Sequence, residues 1–558
     1  MLQLTPLCLA AVLLLQYPAS AAQAAPAAPA AASVDQALAE RIDAAIAPYY
    51  QAGNPGATVI VVRDGQTVLR KAYGMADVAG KAPMRPETSL RLGSITKQFT
   101  STAILMLAEE GKLAVSDPIT KFFPDYPTQG KVITVEHLLT HTSGIASYTN
   151  KLAYRDTMTR DTSVAQMIDS FKNDPLEFAP GARYNYNNSG YFLLGAIIEK
   201  VSGMSYAKFV EQRIFVPLGM TQSAYEGLER APTMRAVGHS KTPNGWEKSP
   251  GLSMSQPYAA GSLVSTVDDL ARWDAAVAAG KLLKPASWQQ AFAPYKLADG
   301  KATNYGYGWM MGKLRGSDWI GHGGGINGFS TYALRLPEHK VYVAVLTNAD
   351  SGMAQPTMVA HKAAALAIGK PFPEHKAIAL DAKALDAYAG AYKIDDKASR
   401  TVRREQDHLV AQRTGRPPVA LYPYATDSFF VKDAITLYTF ARNAKGEVTQ
   451  MTLDEDGTQW VNLRTGNAAA ERMAVVVPDA ILDGYTGNFE LKPGFVITFT
   501  RDGAQFFAQA TGQRKFTLTP VSDKAFYVKE LDAEVRFEGN DQIVLFQGGQ
   551  SMPAKRIK

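Results

Sequence analysis

Ser94 and Lys97 lie three residues apart where a helix begins, in Leu92-Gly93-Ser94-Ile95-Thr96-Lys97-Gln98-Phe99. At i and i+3 the two side chains share one face, one turn apart, so an amine reaches a hydroxyl. The hydroxyl also lies near the positive end of the helix dipole. A serine hydroxyl is a weak nucleophile until a neighbouring base removes its proton, and a lysine desolvated by an apolar helix has its pKa lowered towards that task. The chemistry suggested is acyl transfer through a serine ester. The same pattern recurs at Ser205-Tyr206-Ala207-Lys208, which reads as an ordinary amphipathic helix.

Two further segments carry suitable groups. Tyr184-Asn185-Tyr186-Asn187-Asn188-Ser189-Gly190 follows the turn Pro180-Gly181, and His322-Gly323-Gly324 follows an apolar strand with Gly325 behind it. His137 and His141 stand at i and i+4, a spacing that can hold zinc. No glutamate lies between them and no third ligand is near, so no metal or other cofactor is expected, and His141-Thr142-Ser143-Gly144 reads as a structural turn.

The elements that must position these groups follow from periodicity and turn chemistry. Thr100–Ala108 is apolar enough for a buried helix, with Gly111 as its stop. Val59–Arg63 and Thr67–Ala72 flank Asp64-Gly65-Gln66 as a hairpin. Thr134 should cap a short helix, and Thr266 another ahead of Leu270-Ala271-Arg272-Trp273. Gly190–Val201 reads as an amphipathic helix stopped near Gly203. Strands return at Trp319–His322, Phe329–Leu336 and Val341–Leu346. Strands at both ends with helices between predict one antiparallel sheet, closed by the two ends of that stretch and flanked by helices.

The 558 residues are too many for one core and suggest about three domains. The chain is 46% hydrophobic and 20% charged, ordinary for a globular protein, and its net charge of +6 includes no long basic run, so no nucleic-acid partner is indicated. The first 34 residues carry no charged side chain. Leu7–Leu15 is an apolar run of signal-peptide length, too short to span a bilayer, and Ala19-Ser20-Ala21 offers a cleavage site, with Ala22–Ala24 as alternatives. Residues 1–24 are therefore read as a signal peptide and Ala22–Ala32 as a flexible leader. The mature protein is expected in a periplasm or outside the cell, with no membrane span. Its only cysteine, Cys8, would leave with the leader, which excludes thiol catalysis and disulfides.

Beyond about residue 375 the pattern changes to short alternating strands with glycine turns. Tyr388-Ala389-Gly390 recurs as Tyr485-Thr486-Gly487, Gly415 as Gly512, Pro423 as Pro520, Phe429–Lys432 as Phe526–Lys529, and Phe440 as Phe537, all at an offset of 97. Two copies of a small antiparallel β unit are expected, over 384–466 and 481–558, most simply as barrels without open edges. Thr465–Ala480 would link them. The fold class is thus multidomain α+β, a sheet-and-helix domain over 25–370 followed by two barrels.

Ser94-x-x-Lys97, Tyr186-x-Asn188 and His322-x-Gly324, in that order, resemble the three elements of the serine β-lactamase and penicillin-binding-protein superfamily. The likeness is greatest to the branch of class C β-lactamases, D-alanyl-D-alanine carboxypeptidases, D-aminopeptidases and esterases, whose texture also shows in Leu138–Gly144, Tyr186–Gly195 and Gly321–Phe329. It covers roughly 35–370, and the repeats resemble lipocalin-like units. The alternative frame, Tyr184-Asn185-Tyr186, fits less well because it puts tyrosine in the asparagine place. The resemblance implies that Ser94 attacks a carbonyl and that the amides of Ser94 and Gly325 hold the oxyanion. It also implies that Lys97 and Tyr186 share the proton, either being the resting base, and that Asn188 bonds Lys97 or the substrate. His322 replaces a more usual lysine, and would serve either as a cation for a substrate carboxylate or as a neutral hydrogen-bonding group. The expected activity is hydrolysis of a small amide or ester, most plausibly in a D-amino-acid peptide. Rival readings are a β-lactamase, an esterase, or a receptor slowly acylated by β-lactams.

Overall fold

The computed structural model describes residues 31–557 except 228–231, 233, 396–397, 467–474, 493, 512, 532 and 548–549. The signal peptide, Cys8, Gly512 and the middle of the expected linker lie outside these residues. The leader reading ends too late, because a helix already starts at Ala31 and runs to Ile46.

The central sheet has six antiparallel strands in the order Met310–Leu314, Ser317–Ile326, Phe329–Leu336, Val341–Thr347, Ala57–Arg63, Gln66–Tyr73. The early hairpin joins the late strands as Ala57 pairs with Thr347 and Arg63 with Val341. The hairpin's two-residue turn has Asp64 and Gly65 at φ 50° and 77°. Positive φ at both positions matches the twist of the flanking strands.

Strand alternation divides the apolar residues between two layers. Val59, Val61, Val343 and Val345 pack against Leu38, Ile42 and Ile46 of the first helix and against Val359, Ala360, Ala363 and Ala364 of the helix Pro356–Ala367. Ile60, Ala344 and Leu346 face the opposite layer, a helical body centred on Thr96–Glu109 and Asn188–Ser202. The latter helix is buried from Ser189 through Ile198, so it is a core helix rather than the amphipathic one expected. Gly203, at φ 72°, ends it.

Two closed eight-stranded antiparallel barrels follow, from Gly390 to Gly466 and from Gly487 to Ile557. The repeated aromatics are their cores: Tyr388 lies 5.0 Å from Phe429 and 4.8 Å from Phe440, and Tyr485 lies 5.9 Å from Phe526 and 3.9 Å from Phe537. An ion pair is copied too, Arg404 to Asp386 and Arg501 to Asp483, each at 2.7 Å. The first barrel meets the sheet domain where the Arg315 amide donates to Asp456 and where Ile435 packs on the outer layer. Between the barrels, Gln412 Nε2 donates to the Lys529 carbonyl at 2.8 Å.

Candidate active site

Ser94 sits in the 3-10 turn Gly93–Ile95 that leads into the helix Thr96–Glu109. Gly93 has φ +54°, and a Cβ there would stand 3.0 Å from the Gly325 amide nitrogen. The serine turn is therefore packed against the strand Ser317–Ile326. Gly324 makes the approach possible, since a Cβ on it would meet the Leu92 carbonyl oxygen at 1.9 Å. Its absent side chain is what the geometry uses, and the amide of Gly325 is the one beside the serine turn. Thr331 Oγ1 donates to the same Leu92 oxygen at 2.8 Å and locks the contact.

Lys97 is wholly buried, at 0% exposure. Its Nζ lies 3.1 Å from Ser94 Oγ, 2.9 Å from Asn188 Oδ1 and 3.0 Å from the Ala260 carbonyl. Burial pulls its pKa well below the ordinary lysine range. A neutral amine has two hydrogens and one lone pair. With Asn188 and Ala260 as the two acceptors, the lone pair is left for the Ser94 hydroxyl. Asn188 is oriented by donating Nδ2 to Thr149 Oγ1 at 3.1 Å, and its own amide donates to Ser147 Oγ at 3.2 Å. Ala260 is held near Ser94 because Leu92 donates to Leu263 O at 2.8 Å and Leu263 donates to Thr96 Oγ1 at 3.2 Å.

The Tyr186 ring lies 4.7 Å from Lys97 Nζ. Its buried hydroxyl has no partner with full hydrogen-bond geometry, although Ser94 is close enough to offset part of the upward pKa shift that burial causes. The second segment is thus used in the Tyr186-Asn187-Asn188 frame. Tyr184 stands off, edge-on to His141 at 5.9 Å. Asn187 caps the following helix by accepting from the Gly190 amide at 2.8 Å.

His322 is 2% exposed. Its Nδ1 lies 2.6 Å from the Gly323 carbonyl, an obligate acceptor, so Nδ1 carries the hydrogen. Its Nε2 then accepts from the Tyr305 hydroxyl at 2.8 Å. Burial pulls the pKa down to about 3, and a proton on Lys97, when it is there, acts in the same direction. His322 is therefore the neutral member of the two alternatives, and both ring nitrogens are already engaged.

His137 and His141 do not converge. His137 Nδ1 accepts from the Thr134 amide at 3.2 Å as part of a capping box. His141, at φ 59°, turns inward and packs tilted against Tyr186 and Tyr305, with ring centroids 4.2 Å and 4.7 Å away. No cluster of metal-ligating side chains occurs among the described residues. Ser205 merely caps the helix Tyr206–Val210 by accepting from the Lys208 amide at 3.3 Å.

Tyr305, His141 and the Ala260 carbonyl belong to the site, yet none was singled out for it by sequence. A carbonyl carries no signature in residue type, and Tyr305 is one tyrosine among 25. His141 reads in sequence as part of a structural turn, and the residue types around it give no sign of its contact with Tyr186.

A deeply buried Ser–Lys pair, clamped between an asparagine and a carbonyl beside a strand of glycines, defines a serine hydrolase of the β-lactamase type. The family profile described as Beta-lactamase matches residues 34–367, and the chain belongs to that family. A domain of unknown function, DUF3471, matches residues 374–464, the first barrel.

Among relatives, Penicillin-binding protein 4* of Bacillus subtilis is 28% identical over 439 residues, 73% of this chain and 94% of its own length. Protein flp of Staphylococcus aureus is 29% identical over 370 residues, 64% of this chain and 70% of its own. The octameric penicillin-binding protein homologue from Pyrococcus abyssi shares the fold over 94% of this chain and all of its own, with a TM-score of 0.54 and 24% identity. D-amino acid amidase from Ochrobactrum anthropi shares it over 61% of this chain and 98% of its own, with a TM-score of 0.51 and 24% identity. No helix among the described residues is long and apolar enough to cross a membrane.

Proposed function

We propose that the protein cleaves a small amide or ester, in a D-amino-acid-containing peptide, through an acyl-enzyme on Ser94. The observation that carries the reading is the 3.1 Å contact between Ser94 Oγ and a lysine whose other two bonds are already spoken for. Lys97, neutral at rest, accepts the Ser94 proton as the oxygen attacks the carbonyl carbon. The amides of Ser94 and Gly325 receive the oxyanion, where preorganised donors stabilise the developing charge. Tyr186, whose phenolate form burial disfavours, acts as a relay: it gives its own proton to the leaving nitrogen or oxygen and takes the one on Lys97 in its place, so both groups end neutral. Water then attacks the ester carbon, its proton passing through Tyr186 and Lys97 to Ser94 Oγ as the C–Oγ bond breaks and the serine is freed.

The state of His322 bears on the substrate. With both nitrogens engaged and no charge, it supplies no cation for a free carboxylate. That favours amides and esters lacking a carboxylate at this position over the carboxylate-bearing β-lactams, which remain slower acylating ligands of the same serine. Short-chain esters meet the same requirement. The uncharged apolar run at the N-terminus supports export to a periplasm or the medium.

Purified protein assayed against D-alanine amides, L-alanine amides, short-chain nitrophenyl esters and a chromogenic cephalosporin tests the reading. Turnover of the D-amides and esters well above the cephalosporin is expected. Fastest turnover of the cephalosporin would overturn the substrate assignment in favour of a β-lactamase.

A further inference from the structure

A second cavity, of about 920 Å³, opens between the helix Val267–Ala278 and the sheet. It lies at the end of the sheet remote from Gly325. Along the strand Phe329–Leu336, Arg335 in its lining is five residues from Ser330, the partner of Gly325, or about 17 Å at the usual strand rise. The volume falls in the range of small-molecule sites.

Its walls are largely apolar, among them Ile60, Ala275 and Leu336, and its charged groups are unevenly satisfied. Arg70 is held by Asp268 at 2.7 Å and Glu87 at 2.6 Å, and Arg272 by Asp269 at 2.6 Å. Arg335 is different. Its side chain is 13% exposed, its Nε makes no hydrogen bond, and its counter-ion Asp274 stands off at 3.4 Å. A guanidinium presents a fork of donors matched to a carboxylate. A guanidinium so loosely paired beside an apolar wall is one whose terminal nitrogens a second carboxylate would stabilise.

We propose that this cavity binds a monocarboxylate bearing a short apolar chain, its carboxylate on the Arg335 guanidinium and its chain along Ile60, Ala275 and Leu336. The apolar wall, which a phosphate would leave uncovered, favours an anion that carries a hydrocarbon chain, and Lys340 at the rim adds a further cation. Burial raises the Asp274 pKa to about 6, in keeping with a carboxyl that Arg335 only partly serves. The inference is independent of the reaction proposed at Ser94.

Octanoate titrated calorimetrically into the full-length Ser94→Ala protein is the test, with octanol and octylammonium as controls. Saturable binding of octanoate, and of neither control, is expected. Arg335→Met should weaken it about tenfold or more. Ala275→Phe, which fills the cavity from an exposed helix position and so spares the fold, should do the same. Octanoate binding unchanged in Ala275→Phe, octanol binding as well as octanoate, or no saturable octanoate binding would each overturn the proposal.

Discussion

The main-chain amide of Asn187 donates to Nδ1 of His141 at 3.0 Å, which ties the residue between Tyr186 and Asn188 to a buried imidazole. Because Nδ1 accepts, the neutral ring carries its hydrogen on Nε2. Burial pushes the His141 pKa well below its ordinary value, so the imidazole is uncharged beside Lys97. His141→Asn keeps an acceptor and tolerates the positive φ but loses the ring that packs on Tyr186, whereas His141→Ala loses both. Single-turnover acylation should fall about tenfold in the asparagine variant and further in the alanine variant. Equal rates in all three proteins would show that His141 merely fills space.

Lys97 yields a prediction whose sign follows from its burial. Its folded-state pKa lies well below 10.5, so between the two values the unfolded chain holds a proton that the folded chain lacks. That group's contribution to stability therefore becomes less unfavourable as pH rises towards 10.5. The difference in unfolding free energy between wild type and Lys97→Met should shift in favour of wild type from pH 7 to pH 10. Denaturant titrations at several pH values measure it, and a flat difference would place the amine's pKa near its ordinary value.

His322 should contribute no ionisation to activity near neutrality. With its pKa at about 3, acylation of free-acid substrates and of matched amides should show the same pH profile between pH 5 and 8. A decline specific to the free acids as pH rises through the ordinary histidine range would restore the charged reading. For stability the sign is opposite to that of a paired histidine. The unfolded chain binds a proton below about 6.5 that the folded protein refuses, so stability is lost as pH falls towards 3.

The first barrel rests on the layer of the sheet opposite the Ser94 helix, through Arg315, Asp456 and Ile435. Asp456→Ala, which removes the acceptor of both the Arg315 amide and its guanidinium, should loosen that junction, read as faster proteolysis around residue 375. Acylation and substrate preference should be unchanged. A changed preference for peptide length would mean that the barrel reaches the catalytic mouth.

Local chemistry made much of this molecule legible. Ser94 and Lys97 are three residues apart, Asp64-Gly65 spells its own hairpin turn, and the offset of 97 announced two copies of one unit. What stayed hidden depends on contacts distant in sequence. The Lys97–Ala260 bond spans 163 residues and ends on a carbonyl that any residue would offer. Asn348 is likewise unremarkable in sequence, yet it accepts from Gly56 at 2.7 Å and donates to Val237 O at 2.8 Å, tying three segments beside the sheet. The charge state of His322 was undecidable for the same reason, since Tyr305 and the surrounding burial come from the fold.

The central claim is that Ser94 is the acylated nucleophile, and intact-mass spectrometry after exposure to a fluorophosphonate or penicillin probe tests it most directly. Wild type and Ser205→Ala should each gain the mass of one adduct, and Ser94→Ala should gain none. An adduct that persists in Ser94→Ala would contradict the account.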